Sequence, residues 1–212
     1  MKAVSARRDA QIVVGVDVGG ARKGFHAVAL REWQFFDKLA TCDAAAIVEW
    51  CRMLDASIVG VDAPCKWSLT GRRRPCEQQL AGIGMQAFST PCLAIGQSHP
   101  FYRWMLNGAD LFSFFAPHYQ LFDGRPSHSR PVCFETFPYA VASALAGTVL
   151  SAKRKRTDRP RLLRQAGLST DVLHNIDEVD AALCALTAQY FSAGEFKTYG
   201  DAAEGFIVVP MP

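Results

Sequence analysis

The chain has 212 residues, half of them hydrophobic, with 23 basic against 20 acidic side chains and a net charge of +3. That length suits one core of ordinary size, and so small a charge does not by itself imply nucleic-acid binding, which would need local clustering of Lys and Arg. Seven cysteines without a Cys-x-x-Cys pair or zinc-type histidine spacing exclude a zinc module and read as reduced, packed thiols of a cytoplasmic protein. No stretch reads as a signal peptide or a membrane span.

Residues 1–10 read as a flexible, polar N-terminal tail, and residues 11–212 as a single domain with helical insertions. Residues 12–18 predict a buried strand, an apolar β-branched run that stops at Asp17 before Gly19 and Gly20. Residues 24–30 and 34–38 predict two more strands in an antiparallel meander. Asp43 can cap a helix running to Leu54, with Ile47, Val48, Cys51 and Leu54 on its apolar face. Residues 57–61 predict the next strand, and the helix before it implies parallel pairing with the first.

Residues 66–97 are less regular; they hold Arg72-Arg73-Arg74 and then Pro75, which can start a short helix over 76–81. Residues 101–115 are rich in aromatic side chains and read as a helix facing the core. Residues 123–130 read as a polar loop. Residues 132–135 predict a further strand, closed by Pro138, and a helix follows over 139–146. A basic run, Lys153-Arg154-Lys155-Arg156, precedes Pro160, which can start a helix ending near Gly167. Asn175 then opens the clearest helix: it is a good cap, Glu178 stands three residues on as in a capping box, and Ile176, Val179, Leu183, Leu186 and Tyr190 form a stripe. Residues 206–209 predict a last short strand.

The chemistry lies in the acids. Val14-Gly15-Val16-Asp17 recurs as Val59-Gly60-Val61-Asp62, and Val132-Cys133-Phe134-Glu135 ends the same way. A buried strand has no use for a carboxylate unless something pairs with it. Three strands ending so predict a shared site at one sheet edge. For any one of them, binding of turn amides is an adequate reading. Asp177 and Glu178 are served by the helix dipole. Asp180 lies deeper, beside the apolar stripe, and a functional role suits it better. Oxygen ligands without His or Cys favour Mg2+ or Mn2+. His26, His99, His118, His128 and His174 are scattered, and surface or core roles suit them.

In order, Gly15-Val16-Asp17, Gly60-Val61-Asp62-Ala63-Pro64, Glu135-Thr136-Phe137-Pro138, Asp177-x-x-Asp180-Ala181-Ala182 and Glu204-Gly205-x-Ile207-x-x-Pro210 resemble domain-of-unknown-function family 429. That family is regarded as predicted nucleases of the ribonuclease H-like superfamily. The helix motif also resembles the final helix of Holliday-junction resolvases. The resemblance implies an α/β fold: a ribonuclease H-like, mixed five-stranded sheet, three strands antiparallel, with helices on both faces. It implies a metal-dependent nuclease acting on DNA or RNA, with Asp17, Asp62, Glu135 and Asp180 catalytic and Asp177 a further metal ligand. Two ions about 3.5–4 Å apart would serve the two reacting oxygens.

Lys23, Arg72, Arg74, Lys153, Arg154 and Arg156 are candidate contacts to substrate phosphates, although a solvated face is the safer reading of each. Asp17-Val18-Gly19-Gly20 before Lys23-Gly24 also resembles the first phosphate loop of actin-like ATPases. That fold duplicates its domain, and this chain is short for two copies. A non-catalytic binding module of the same fold is the third alternative.

Overall fold

A computed structural model of the protein describes residues 11–20, 22–125 and 130–212. The expected tail, residues 1–10, lies outside the described residues, as do His128 and its neighbours in the 123–130 loop.

The chain forms β1 (Ile12–Val18), β2 (Phe25–Arg31), β3 (Gln34–Thr41), α1 (Ala44–Met53), β4 (Ile58–Asp62), α2 (Pro75–Gly82), α3 (Leu93–Ser98) and α4 (Arg103–Phe115). It continues through β5 (Gln120–Leu121), β6 (Val132–Thr136), α5 (Pro138–Ala146), α6 (Lys155–Gln165), α7 (Ile176–Ala193), β7 (Phe196–Asp201) and β8 (Gly205–Pro210). The strands make one mixed sheet in the order β3-β2-β1-β4-β6-β8-β7, and β5 adds to β6. The first three pair antiparallel, whereas β1, β4, β6 and β8 are parallel neighbours. This is the mixed α/β arrangement expected of a ribonuclease H-like sheet, with eight strands rather than five. The strands absent from the sequence reading are short or polar: β5 has two residues, and β7 is an edge strand reading Phe-Lys-Thr-Tyr-Gly-Asp.

Each face of the sheet is covered. On one, Val14, Val16, Val59, Val61 and Cys133 pack with Ile47, Cys51, Leu111 and Phe115 from α1 and α4. On the other, Val13, Phe134 and Val208 pack with Val141, Leu163, Leu183 and Leu186 from α5, α6 and α7. Among the described residues no helix is long and apolar enough to cross a membrane.

The repeated Val-Gly-Val-Asp has a packing cause. A methyl group added to Gly15 would stand 2.0 Å from the Ala185 nitrogen and 2.2 Å from the Ala181 oxygen. One added to Gly60 would stand 2.8 Å from the Cys184 oxygen. Helix α7 therefore lies directly on two neighbouring strands, and only glycine lets the backbones come so close. The helix itself contributes small side chains, with Ala181, Ala182, Ala185 and Ala188 all buried.

Local signals hold elsewhere with shifts that have physical reasons. Asp43 caps α1 by accepting from the Ala45 N–H, and Asn175 caps α7 by accepting from the Glu178 N–H at 2.8 Å. Glu178 does not return the bond to Asn175 as a capping box requires. It accepts instead from the His174 N–H at 2.7 Å and from Lys38 Nζ at 2.8 Å. Helix α6 begins at Lys155, with Pro160 inside it rather than at its start. A proline there removes one internal hydrogen bond. Residues 101–115 are not wholly core: Phe101 is 50% and Phe114 48% exposed, while Met105, Leu111, Phe112 and Phe115 are buried.

The α7 contact makes a sharp stability prediction. Gly15→Ala is expected to destabilise the protein by about 3 kcal/mol or more, at the upper end of overpacking costs, because only backbone could yield. Gly82→Ala, where an added methyl meets nothing within 4 Å, should be neutral or stabilising by up to about 1 kcal/mol. Denaturant unfolding of both variants checks the pair; equal effects would contradict the packing argument.

Candidate metal centre

Asp17 and Asp62 are register partners at the ends of β1 and β4. Side chains alternate along a strand, so each faces the same side as the glycine two residues before it, the α7 side. Their carboxyls stand close enough that each acts on the protonation of the other. Helix α7 runs back over the strands: Ala185 and Ala181 lie over Gly15, and the helix start lies over the strand ends. Four helical residues rise about 6 Å and two strand residues about 6.6 Å. One helical turn before Cys184 is Asp180, and two strand steps after Gly15 is Asp17, so the two acids are brought near enough for the charge of one to act on the other. Asp177 completes the group, and its charge and that of Asp180 both act on Asp17.

Mutual repulsion and burial set the protonation. Burial, then the charges of Asp180 and Asp177, push Asp17 up to about 7. Burial, then Asp17 and Asp180, push Asp62 well above the usual carboxylate range. Burial also raises Asp180, against the pull of the Arg159 guanidinium.

Two cations answer the outer acids. Lys23 Nζ donates to both oxygens of Asp177 at 2.9 Å. Arg159 Nη1 donates to Asp180 Oδ1, and both side chains are nearly buried. Asn175 already caps the helix, so Asp177 is not needed as the cap and belongs with the acids. Arg159 was not among the residues expected from the sequence. It sits on α6, 21 positions from its partner, and a faint signal was present in its placement one turn after Lys155. His26 is the β2 register partner of Asp17. Its Nδ1 is buried without a hydrogen-bond partner among the described residues.

Glu135 is not brought into this group. It ends β6 at the same sheet edge, but its register partner is Val61, not Asp62. Its side chain therefore emerges on the opposite face from Asp17 and Asp62. There Arg74 Nη1 and Nη2 donate to its two oxygens at 2.9 and 2.6 Å, and the Cys65 N–H donates at 2.9 Å. Arg74 Nε also holds Glu77 at 2.8 Å, and Glu77 accepts from Thr90. Arg74 is 1% exposed, so it cannot be a phosphate contact: it is the internal partner of Glu135. A cavity of about 40 Å³ lined by Asp62, Arg74, Thr90, Trp104 and Glu135 has room for water and none for a nucleotide.

Of the other basic candidates, Arg72, Lys153, Arg154 and Arg156 are exposed. Arg154 reaches Asp158 at 3.4 Å. The positive charge of Lys155, in the same run, is felt at Asp180, which puts the start of α6 near the acids.

Four aspartates are a hard, oxygen-only donor set that suits Mg2+ or Mn2+, and a cation would relieve the repulsion that raises Asp17. Among the described residues no group of three His, Cys, Asp or Glu side chains is placed to hold a metal ion. Asp177 and Asp180 are engaged by Lys23 and Arg159. Holding an ion beside Asp17 and Asp62 requires the outer acids to share themselves with it.

The model of a family described as "Protein of unknown function (DUF429)" matches residues 15–204. No curated protein matches the chain. Among solved structures, RuvC of Thermus thermophilus is similar at 15% identity and a TM-score of 0.46, over 87% of this chain and 97% of that one. T. thermophilus RuvC in complex with Holliday junction substrate is similar at 16% identity and a TM-score of 0.47, over 86% and 94%.

The raised Asp17 makes stability depend on pH with a definite sign. Between the unfolded carboxyl value and about 7, the folded protein binds the proton and the unfolded chain does not, so stability falls as pH rises. The metal-free melting temperature should decline from pH 5 to pH 7.5. Asp17→Asn should flatten that decline and raise the melting temperature at pH 7.5 by roughly 2–6 °C, at about 2–4 °C per kcal/mol for a chain of this length. Calorimetry in chelator measures both; a flat wild-type profile, or a destabilised variant, would contradict the raised pair.

Proposed function

The chain belongs to the family described as protein of unknown function DUF429, and from the chemistry of the site we propose that it is a divalent-metal-dependent nuclease. The reaction is hydrolysis of phosphodiester bonds of DNA or RNA. The observation that supports the reading is that Asp17 and Asp62, register partners on neighbouring strands, lie where the charges of Asp177 and Asp180 from α7 act on Asp17, with Asp17 and Asp180 buried. Charge of one sign is not gathered in a nearly dry place for stability, because burying it is costly. Such a group is a functional candidate on physical grounds.

A divalent ion bound there would polarise an attacking water and neutralise phosphate charge. The chain's own residues do the rest. Asp17 and Asp62, ionised, would be the oxygen donors contributed by the strands. Asp180 approaches from α7 and fixes the depth of the site, because its helix cannot slide on Gly15 and Gly60. Lys23 stands on the β1–β2 turn with its side chain 61% exposed, free to leave Asp177 for a substrate phosphate. Arg72 and the run from Lys153 to Arg156 offer the strand of phosphates a charged rim.

The ATP-binding reading loses to this one on hydrogen bonds. In the Gly19–Gly24 turn the amides of Gly19, Lys23 and Gly24 donate to the turn's own carbonyls. Those amides are what a phosphate loop must present outward.

The test is cleavage of a panel of single-stranded, duplex and hybrid substrates with Mg2+ or Mn2+. Cleavage should require the ion, and Asp17→Asn or Asp180→Asn should lower it roughly a hundredfold or more. Glu135→Gln should lose stability, by up to about 3–5 kcal/mol as a broken buried pair, yet keep turnover within a few-fold where folded. Full activity in the Asp180 variant, or nucleoside triphosphate hydrolysis without strand cleavage, would refute the proposal.

A further inference from the structure

We propose that Arg159 stands where a second metal ion would otherwise bind, so that the cluster takes up one divalent ion per chain and not the two expected of a carboxylate nuclease site. The proposal rests on the reading of the four aspartates as a metal centre.

Arg159 is only 9% exposed, and its guanidinium is bonded to Asp180. Its charge also bears favourably on Asp62. It is thus bonded to the acid of the helix and near enough for its charge to reach an acid of the sheet. A guanidinium does not lose its proton in proteins, so this positive charge is permanent. Helix α6, which carries Arg159, is itself anchored in the core by Leu162 and Leu163. The side chain thus has little freedom to leave. Lys23 differs: it is largely exposed and sits on a turn, so it can be exchanged for substrate.

Charge balance gives the count. Four ionised aspartates carry four negative charges, and Arg159 with Lys23 returns two of them. One divalent ion brings the group to neutrality. A second would leave two positive charges in excess in a place where Asp17 and Asp180 are less than a tenth exposed, which costs heavily where the dielectric is low. With Arg159 in place, the ion falls to the Asp17–Asp62 side, since among the described residues no cationic side chain is bonded to either of those acids.

Titration of the full chain with Mn2+, followed by the electron paramagnetic resonance of free ion, tests this without reference to activity. Wild type should bind one Mn2+ per chain. Arg159→Gln should bind two, the second within about tenfold of the first, and Arg159→Lys should stay at one. Wild type binding two ions of similar affinity, or Arg159→Gln still binding one, would overturn the proposal while leaving a metal centre intact. Wild type binding none would overturn both it and the nuclease reading. Should Arg159→Gln fail to fold, the wild-type count decides.

Discussion

Everything at the candidate centre depends on how closely α7 lies on the sheet. Backbone rests on backbone at Gly15 and Gly60, where a single methyl group would collide with main-chain atoms. That contact fixes both height and register of the helix. Because one turn of helix and two residues of strand cover nearly the same distance, it carries Asp180 onto Asp17 and Asp177 to the rim. The tetrapeptide Val-Gly-Val-Asp occurs twice because two adjacent parallel strands pass under the same helix and meet the same requirement. The glycine admits the helix, the flanking valines fill the opposite face, and the aspartate ends the strand where the helix begins.

The two faces of the sheet handle a buried carboxylate in opposite ways. On the α1–α4 face Glu135 has a permanent partner: Arg74 closes on both its oxygens, Cys65 adds an amide, and Glu77 balances the remaining guanidinium edge. Nothing there is left for a ligand. On the α7 face no cationic side chain among the described residues is bonded to Asp17 or Asp62, and burial and neighbouring acids raise both toward the protonated form. A proton is easily exchanged for a metal ion, whereas a locked guanidinium is not. The two faces thus differ in what neutralises their acids, and on the proposed reading that difference separates a structural acid from a functional one.

Much of this was legible in the sequence. The apolar runs ending at Asp17, Asp62 and Glu135 give three strands that do lie parallel and side by side, and Asn175 marks the start of α7. The face on which each acid emerges was not legible. Glu135 pairs across from Val61, one residue short of Asp62, and a shift of one residue reverses the side. Nor does a run of three arginines say which one turns inward; Arg74 does, because Pro75 starts α2 and aims it at Glu135 and Glu77. Arg159 hid for a related reason, since its partner is far off in sequence and it is one of several basic residues in α6. The strand β7 was missed because an edge strand lacks the apolar run by which buried strands are recognised.

The most direct test of the account is a crystal of the protein soaked in Mn2+ and measured for anomalous scattering. The account predicts a peak on the α7 face of the sheet, within coordination distance of the carboxylates of both Asp17 and Asp62, and none beside Glu135. A peak on the opposite face, held by Glu135 with Arg74 displaced, or an empty acid cluster at saturating Mn2+, would contradict it.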